Sequence, residues 1–178
     1  MSSYSSSENK YYAIISMSCL FLSCTKKLPN DLGFLEFSSE ALEHFENNKQ
    51  RSCFSKEAGG QLFASYEGKN TANVTQVTGP RHKDWRSRFG YEPDLVSEKI
   101  EIAEKYKIGL HFVGDWHTHP QDIPYPSAAD EYSMKKLVTE SIHDLEGFIM
   151  VIVGRKPFPN GLHVSFHTAT HAYKLEVI

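Results

Sequence analysis

Residues 113–130 read VGDWHTHPQDIPYPSAAD, and this stretch decides how the middle of the chain folds. The apolar residues that lead into it predict a strand over residues 109–119. Pro120 ends that strand, because proline has no backbone N–H to donate to a ladder. The segment PSAAD then predicts the start of a helix. Since alternate residues of a strand point to the same side, His117 and His119 face one common point. We therefore expect a strand, a loop and a helix that meet there.

Asp130, in the predicted first turn of that helix, admits two interpretations. Two imidazoles and one carboxylate are the ligands of a catalytic zinc ion, which keeps its fourth position for water. SAAD is also an S-x-x-[DE] capping box, which satisfies backbone N–H groups at a helix start. The two interpretations are compatible. The string H-x-H-P-x6-S-x2-D fixes five residue identities, so its chance occurrence here is on the order of 10⁻⁴ or below.

The N-terminal half predicts strands around one helix. The apolar residues Tyr11–Ser23 indicate a first strand or strand pair. SSEALEHFENN indicates a helix capped by Ser38 or Ser39, with Leu42 and Phe45 facing inward. GGQLFASY and ANVTQVTG, separated by EGKN, predict a hairpin.

The C-terminal half predicts two more helices and the remaining strands. PDLVSEKIEIAEKYK is an amphipathic pattern that ends near Gly109. Three of its side chains form the predicted inward face: Val96, Ile100 and Ala103. In the helix that starts at PSAAD, Leu137 and Ile142 are predicted to face inward. GFIMVIVG predicts a central strand, and GLHVSFHT and AYKLEVI close the sheet. The fold class is therefore α/β (α+β), with a mixed central sheet flanked by about three helices.

Composition excludes several classes of protein. The chain has 178 residues and a formal net charge of −3, so it lacks the basic face of a nucleic-acid-binding protein. No apolar segment is long enough to span a membrane. We expect a Ser-rich, disordered tail at residues 1–9 and one domain over residues 10–178. Three cysteines without a CxxC pair (Cys19, Cys24 and Cys53) indicate reduced thiols and a cytoplasmic location.

The HTHP-x6-SAAD string resembles the signature of the JAMM (MPN+/JAB) family of zinc isopeptidases. That family also requires a distant glutamate at the start of a strand after the first helix, and KEAGGQLFASY offers Glu57 in that place. The resemblance covers the chain from about Tyr11 to the C-terminus. It implies a cytidine-deaminase-like JAB/MPN fold.

The resemblance also implies a role for each matching residue. His117, His119 and Asp130 would bind one catalytic Zn²⁺, which lowers the pKa of a water molecule from 15.7 to about 7. Glu57 would act as general base and then as general acid. Ser127 would donate to the oxyanion, although it is equally a plain helix cap. Without the resemblance, Glu57 would be interpreted as an exposed acid at a strand edge.

A narrower resemblance concerns the substrate. EAGGQLF, TGPRHKDWRSRFGYEPD, VGDWHTHP and PYPSAAD are similar to the stand-alone bacterial JAB peptidases of CBASS anti-phage operons. This implies cleavage after the C-terminus of a ubiquitin-like protein or of a conjugated cGAS-like nucleotidyltransferase, with a ubiquitin-activating and -conjugating ligase as a possible partner. Trp85, Arg86 and Arg88 are candidates for binding the extended substrate. Asp115 and Tyr91 stand where this group usually has Glu and Arg.

Five alternatives can be set beside this interpretation. The chain resembles, less closely, the JAB enzymes that process sulfur-carrier or other ubiquitin-like precursors. A non-catalytic MPN scaffold would be expected to lack ligands that this chain retains, and DNA-repair-associated JAB proteins carry NHPSG where this chain has THPQD. A thiol protease built on Cys53 lacks supporting His and Asn residues. HVSFHTATH contains His163, His167 and His171, which are spaced as in a helical metal site. Its composition, however, favours a strand.

Overall fold

A computed structural model describes residues 24–68 and 70–176. The elements in chain order are β1 (Cys24–Lys27), β2 (Phe34–Phe37), α1 (Ser39–Asn48), β3 (Gly59–Glu67), β4 (Thr71–Val77), β5 (Trp85–Ser87), β6 (Gly90–Glu92), α2 (Leu95–Lys107), β7 (His111–Thr118), α3 (Ala128–Glu140), β8 (Phe148–Val153), β9 (Leu162–His167) and β10 (Ala172–Lys174). The predicted tail at residues 1–9 and the predicted strand over Tyr11–Ser23 lie outside the described residues.

Eight of the strands form one mixed sheet in the order β1-β2-β4-β3-β7-β8-β9-β10, and β5 and β6 form a separate hairpin. The pairs β2/β4 and β7/β8 are parallel, and the other neighbours are antiparallel. The buried ammonium of Lys26 on β1 donates to the carbonyl oxygen of Leu175, just after β10, at 2.9 Å. The two edges of the sheet therefore curl towards each other. This confirms the predicted fold class, with three helices among the described residues.

Helix α1 covers one face of the sheet as the sequence predicts. The hydroxyl of Ser38 accepts from the Ala41 N–H at 3.2 Å, so Ser38 is the N-cap. Leu42 and Phe45 are buried, and the Phe45 ring packs 5.4 Å from Trp116 of β7, measured between ring centroids. Apolar side chains at this helical spacing form a single stripe, which explains why a local pattern was sufficient here.

Helix α3 and one side of β8 form a second apolar cluster. Every residue of β8 is buried, as expected for a central strand. Met134 and Val138 of α3 pack on Phe148, Met150 and Ile152, and Leu137 lies at the edge of the cluster. The prediction that Ile142 faces inward is wrong, because α3 ends at Glu140 and the Ile142 side chain is fully exposed.

Helix α2 packs on the sheet, but the side of the helix that faces the sheet is opposite to the predicted one. Its predicted core residues are all exposed: Val96, Ile100 and Ala103. Its polar side faces the sheet instead. There Glu98 and Glu101 form ion pairs with Arg81, and Lys105 donates to Gln76 of β4 at 2.6 Å. A half-buried arginine needs charged partners. This need decided which side of the helix is covered.

The orientation of α2 predicts unequal costs for two similar truncations. Ile100→Ala should change the free energy of unfolding by about 0.5 kcal/mol or less, because its side chain is already exposed. Leu42→Ala should cost about 2–5 kcal/mol, because it empties a buried site. Urea unfolding of the two variants measures both values. Equal costs would contradict the observed orientation of α2.

No helix within the described ranges is long and apolar enough to cross a membrane.

Candidate metal centre and active site

The two histidines of the HTHP segment meet at the end of β7. β7 lies between β3 and β8, where His117 pairs with Gly59 on one side and Ile152 on the other. The His119 N–H donates to the Val153 carbonyl at 2.9 Å, which extends the alignment one residue beyond the strand. The two imidazoles therefore project to the same side, and their Nε2 atoms lie 3.1 Å apart.

Asp130 reaches the histidines from the first turn of α3. Its carboxylate oxygens lie 3.2 Å from His117 Nε2 and 3.5 Å from His119 Nε2. The same carboxylate accepts from the Ser127 N–H at 2.6 Å, and the Ser127 hydroxyl accepts from the Asp130 N–H at 3.2 Å. The structure thus contains the complete capping box, and the cap aims the carboxylate at the two imidazoles. The helix cap and the cluster of three candidate ligands therefore coexist in one arrangement.

The loop between the histidines and α3 is tied to the sequence that follows β8. The Arg155 and Lys156 N–H groups donate to the carbonyls of Gln121 and Asp122 at 2.7 and 3.1 Å. A Cβ at Gly154 would lie 2.8 Å from the Gln121 carbonyl oxygen, so a larger residue would push this loop away. These backbone contacts fix where α3 begins and therefore where Asp130 points.

The three side chains fit a metal ion. Their ligand atoms lie within 4.8 Å of one another, and this is the one group of its kind across residues 24–68 and 70–176. Two imidazole nitrogens and a carboxylate oxygen are a zinc ligand set, and tetrahedral bonds of about 2.0–2.2 Å place ligand atoms roughly 3.3–3.6 Å apart. The two Nε2 atoms, 3.1 Å apart, are close to that spacing, and each faces a different oxygen of the Asp130 carboxylate, at 3.2 and 3.5 Å.

The pKa shifts of Asp130 and His119 favour metal binding. Burial opposes ionisation of Asp130, but the hydrogen bond and charge of His117 and the N–H of Ser127 outweigh it and hold the pKa of Asp130 well below its usual range. Burial, together with the neighbouring His117, lowers the pKa of His119. A carboxylate and a neutral imidazole are the forms that bind a metal ion.

Glu57 lies beside this cluster, two residues before the Gly59 that pairs with His117. It is only 7% exposed, so the interpretation as an exposed strand-edge acid is wrong. Burial raises the pKa of Glu57 to about 7; the positive charge of His117 opposes this rise and the negative charge of Asp130 adds to it. A carboxyl group whose pKa is near neutral can both accept and return a proton at neutral pH.

The β5–β6 hairpin holds the segment that carries Glu57. The Glu57 N–H donates to the Ser87 carbonyl at 2.7 Å, and Arg86 Nε donates back to the Glu57 carbonyl at 2.5 Å. Arg88 Nη1 donates to the Cys53 carbonyl at 3.0 Å. Of the three residues considered for substrate binding, Arg86 and Arg88 thus contact the chain's own backbone, while the Trp85 side chain is more than half exposed.

Other side chains of interest lie on β7 and β9. Trp116 is buried on the opposite face of β7 from the histidines. Burial raises the pKa of Asp115 to about 8; the charge of Glu98 adds to this rise and that of Arg81 opposes it, so Asp115 belongs with the α2 contacts. His163 and His167 are buried on β9, which is a strand as its composition indicates.

Sequence analysis missed two residues that contact the site from behind. Thr118, which lies between the two histidines in the sequence, is fully buried. Its hydroxyl accepts a hydrogen bond from the Ala58 N–H at 3.0 Å. The Thr118 hydroxyl donates to Gln50 at 3.1 Å. The two-residue period of β7 was a usable signal for Thr118, since it places this side chain opposite the histidines. Nothing local in the sequence marks Gln50.

Residues 41–166 match the sequence profile of a family described as prokaryotic homologs of the JAB domain. A protein of Escherichia coli (strain TW11681) named CD-NTase/cGAS isopeptidase is 31% identical over 121 residues, which are 66% of this chain and 74% of that protein. A protein of Pseudomonas aeruginosa (strain BWHPSA011 / Pa011) with the same name is 32% identical over 124 residues, 68% of this chain and 77% of that protein.

A solution structure of a protein from Desulfitobacterium hafniense has a similar fold, with a TM-score of 0.58 at 19% identity over 80% of this chain and 90% of that one. The profile match spans most of the chain and includes Glu57, both histidines and Asp130. The chain therefore belongs to the family of prokaryotic JAB-domain proteins and is a hydrolase of the metallopeptidase class.

Proposed function

We propose that this protein is a zinc-dependent isopeptidase in which His117, His119 and Asp130 hold the metal. The observation that carries the proposal is the convergence of one ligand atom from each of these side chains, all within 4.8 Å of one another, beside a buried glutamate. Zinc, when bound, supplies a Lewis acid that polarises the scissile carbonyl and lowers the pKa of a water molecule to about 7. The protein has to supply the proton transfers and the orientation of the substrate.

We assign the proton transfers to Glu57. Its carboxylate would accept a proton from the attacking water, and its carboxylic acid would then protonate the departing amine. The two steps require a group that titrates near the working pH, and the burial of Glu57 gives it that property. The hairpin binds the Glu57 backbone, and among residues 24–68 and 70–176 the Glu57 carboxyl group makes no ion pair or hydrogen bond that would occupy it.

We assign the stabilisation of the oxyanion to Ser127. Its hydroxyl oxygen caps α3 by accepting the Asp130 N–H, which uses a lone pair and leaves the O–H able to rotate and donate. Its side chain is exposed at the edge of the cluster, where a substrate carbonyl can approach. Loss of one such donor in other enzymes costs about 10²–10³ in turnover.

We propose that the substrate is a conjugate of a cGAS-like nucleotidyltransferase or of a ubiquitin-like protein, cleaved after its C-terminus in bacterial anti-phage defence (CBASS). The names of the two relatives support a nucleotidyltransferase as substrate. The exposed Trp85 and Phe89 of the β5–β6 hairpin offer an apolar rim along which an extended tail can lie. A ubiquitin-activating and -conjugating ligase would make the conjugate that this enzyme removes.

We further propose that residues 10–178 form one domain and that the protein works in the cytoplasm. Free cysteines at Cys24 and Cys53 support a reducing compartment.

A metal chelator and a thiol reagent should distinguish the proposed zinc mechanism from a thiol mechanism based on Cys53. A zinc chelator should stop cleavage of a nucleotidyltransferase conjugate, and added zinc should restore it. Iodoacetamide should leave turnover unchanged even when mass spectrometry shows that the exposed Cys53 is alkylated. Cys53→Ser serves as the control. Activity that resists the chelator and is lost on alkylation would replace the metal mechanism with a thiol one.

The substrate assignment is tested by the same assay with two substrates. The nucleotidyltransferase conjugate should be cleaved, and a sulfur-carrier fusion should be cleaved much more slowly. The reverse preference would make this protein a processing enzyme for ubiquitin-like precursors.

A further inference from the structure

A buried polar relay connects the strand of the histidines to the segment of Glu57. Thr118 and Gln50 are 0% and 1% exposed, and they lie behind the metal-binding cluster rather than in it. Thr118 stands between His117 and His119 in sequence but points to the opposite side of β7, towards the face that α1 covers. Gln50 lies two residues after the end of α1.

The direction of each hydrogen bond in the relay is fixed by its neighbours. The Ala58 N–H donates to the Thr118 hydroxyl at 3.0 Å. The hydroxyl therefore uses its single proton to donate to Gln50 Oε1, at 3.1 Å. Gln50 Nε2 in turn donates to the carbonyls of Arg88 and Ser55, at 2.9 and 3.3 Å. The hydroxyl of Thr118 and the amide of Gln50 together provide a hydrogen-bond partner for the Ala58 N–H and for the carbonyls of Arg88 and Ser55.

The relay fixes the backbone on both sides of Glu57. Ser55 is bound to Gln50 on one side, and Ala58 is bound to Thr118 on the other. The Thr118 N–H also donates to the Ala58 carbonyl at 2.8 Å, so this residue exchanges two hydrogen bonds with β7. Through Arg88, the same amide contacts the β5–β6 hairpin. One side chain thus connects the Glu57 segment, the histidine strand and the hairpin.

We propose that Thr118 and Gln50 are positioning residues for Glu57. They hold the carboxyl group at its working distance from the metal-binding histidines without touching metal or substrate. The proposal rests on the proposed isopeptidase function. It follows from the geometry, because the other contacts of this segment are made by its backbone: Glu57 to the hairpin and the Ala58 carbonyl to the Thr118 N–H. The hairpin itself has no hydrogen-bonded strand in the main sheet.

Thr118→Val is the first test, since valine keeps the shape of threonine and removes the hydroxyl. We expect kcat to fall by about 10²-fold, the usual cost of misplacing a catalytic group by about 1 Å. KM and the zinc content should stay at wild-type values, because the hairpin surface and the three ligands are unchanged. Thr118→Ser, which restores the hydroxyl, should recover most of kcat.

Two further variants complete the test. Thr139→Val is the matched control, because Thr139 is exposed on α3 and its hydroxyl donates only to the Lys135 carbonyl, at 2.9 Å. Gln50→Met keeps the length of the side chain, removes the amide and should lower kcat as Thr118→Val does. If Thr118→Val does not fold, Gln50→Met tests the proposal in its place. Amide hydrogen exchange gives a readout without turnover: the Ala58 N–H should exchange faster in Thr118→Val and not in Thr118→Ser.

The outcomes separate this proposal from the function on which it rests. Wild-type protein that binds zinc but cleaves neither conjugate would refute the function, and the positioning role with it. Active wild type with an unchanged kcat in both Thr118→Val and Gln50→Met would refute the positioning role alone. Zinc loss in parallel with kcat would also refute it, since the relay would then act through the ligands. Failure of Thr118→Ser to recover kcat would have the same meaning.

Discussion

His117→Ala should take the zinc content of the purified protein from about one ion per chain to nearly none, and cleavage should fall to the uncatalysed background. His117 Nε2 lies 3.1 Å from His119 Nε2 and 3.2 Å from the Asp130 carboxylate, so the substitution removes one of the three converging ligands. A site with two remaining ligands loses most of its affinity, because binding depends on several preplaced donors acting on one ion.

Elemental analysis after gel filtration measures the zinc, and cleavage of the conjugate measures the activity. His111→Ala is the matched control: it lies at the other end of the same strand, where its ring packs against Tyr66 and Tyr106. This control should keep its zinc. A wild-type protein without metal, or a His117→Ala variant that retains it, would contradict the assignment of the metal centre.

Glu57→Gln should have the opposite combination of properties: full zinc content and a kcat lower by about 10²–10⁴-fold, the usual contribution of a general acid–base group. Glutamine has nearly the same shape and preserves the backbone contacts to Ser87 and Arg86. It cannot accept the proton of the attacking water. Glu43→Gln, which makes the same change on the exposed side of α1, is the control and should have wild-type turnover. Unchanged kcat in Glu57→Gln would remove this residue from the mechanism.

The same variant has a second, independent signature in the metal-free protein. The pKa of Glu57 is raised to about 7 in the folded state from 4.5, so the folded protein binds its proton more tightly than the unfolded chain does. Wild-type stability should therefore decrease as the pH rises from about 4.5 through 7, and Glu57→Gln should not show this part of the decrease. Urea unfolding at pH 5 and pH 8 compares the two proteins. The stability advantage of the glutamine variant over wild type should be clearly larger at pH 8 than at pH 5.

Local patterns predicted much of the site before any tertiary contact was considered. Alternation along β7 brought His117 and His119 to one side, and proline chemistry ended the strand. The capping box placed Asp130 at the start of a helix. Each of these rules concerns residues a few positions apart, whose geometry is set by backbone dihedrals and nearby hydrogen bonds. The helical spacing of Leu42 and Phe45 was reliable for the same reason.

The remaining features depend on residues distant in sequence. Glu57 lies beside the histidines because β3 pairs with β7 in the register that sets Gly59 against His117. A shift of one residue would have turned the neighbouring side chains to the other face. In α2, charge pairing with Arg81 overrode the apolar stripe, since an unpaired charge under the helix costs more than several exposed aliphatic side chains. The sequence by itself thus determined which side chains are the proposed metal ligands, and only the tertiary structure decided what lies beside and behind them, because strand register and charge burial depend on contacts between distant segments.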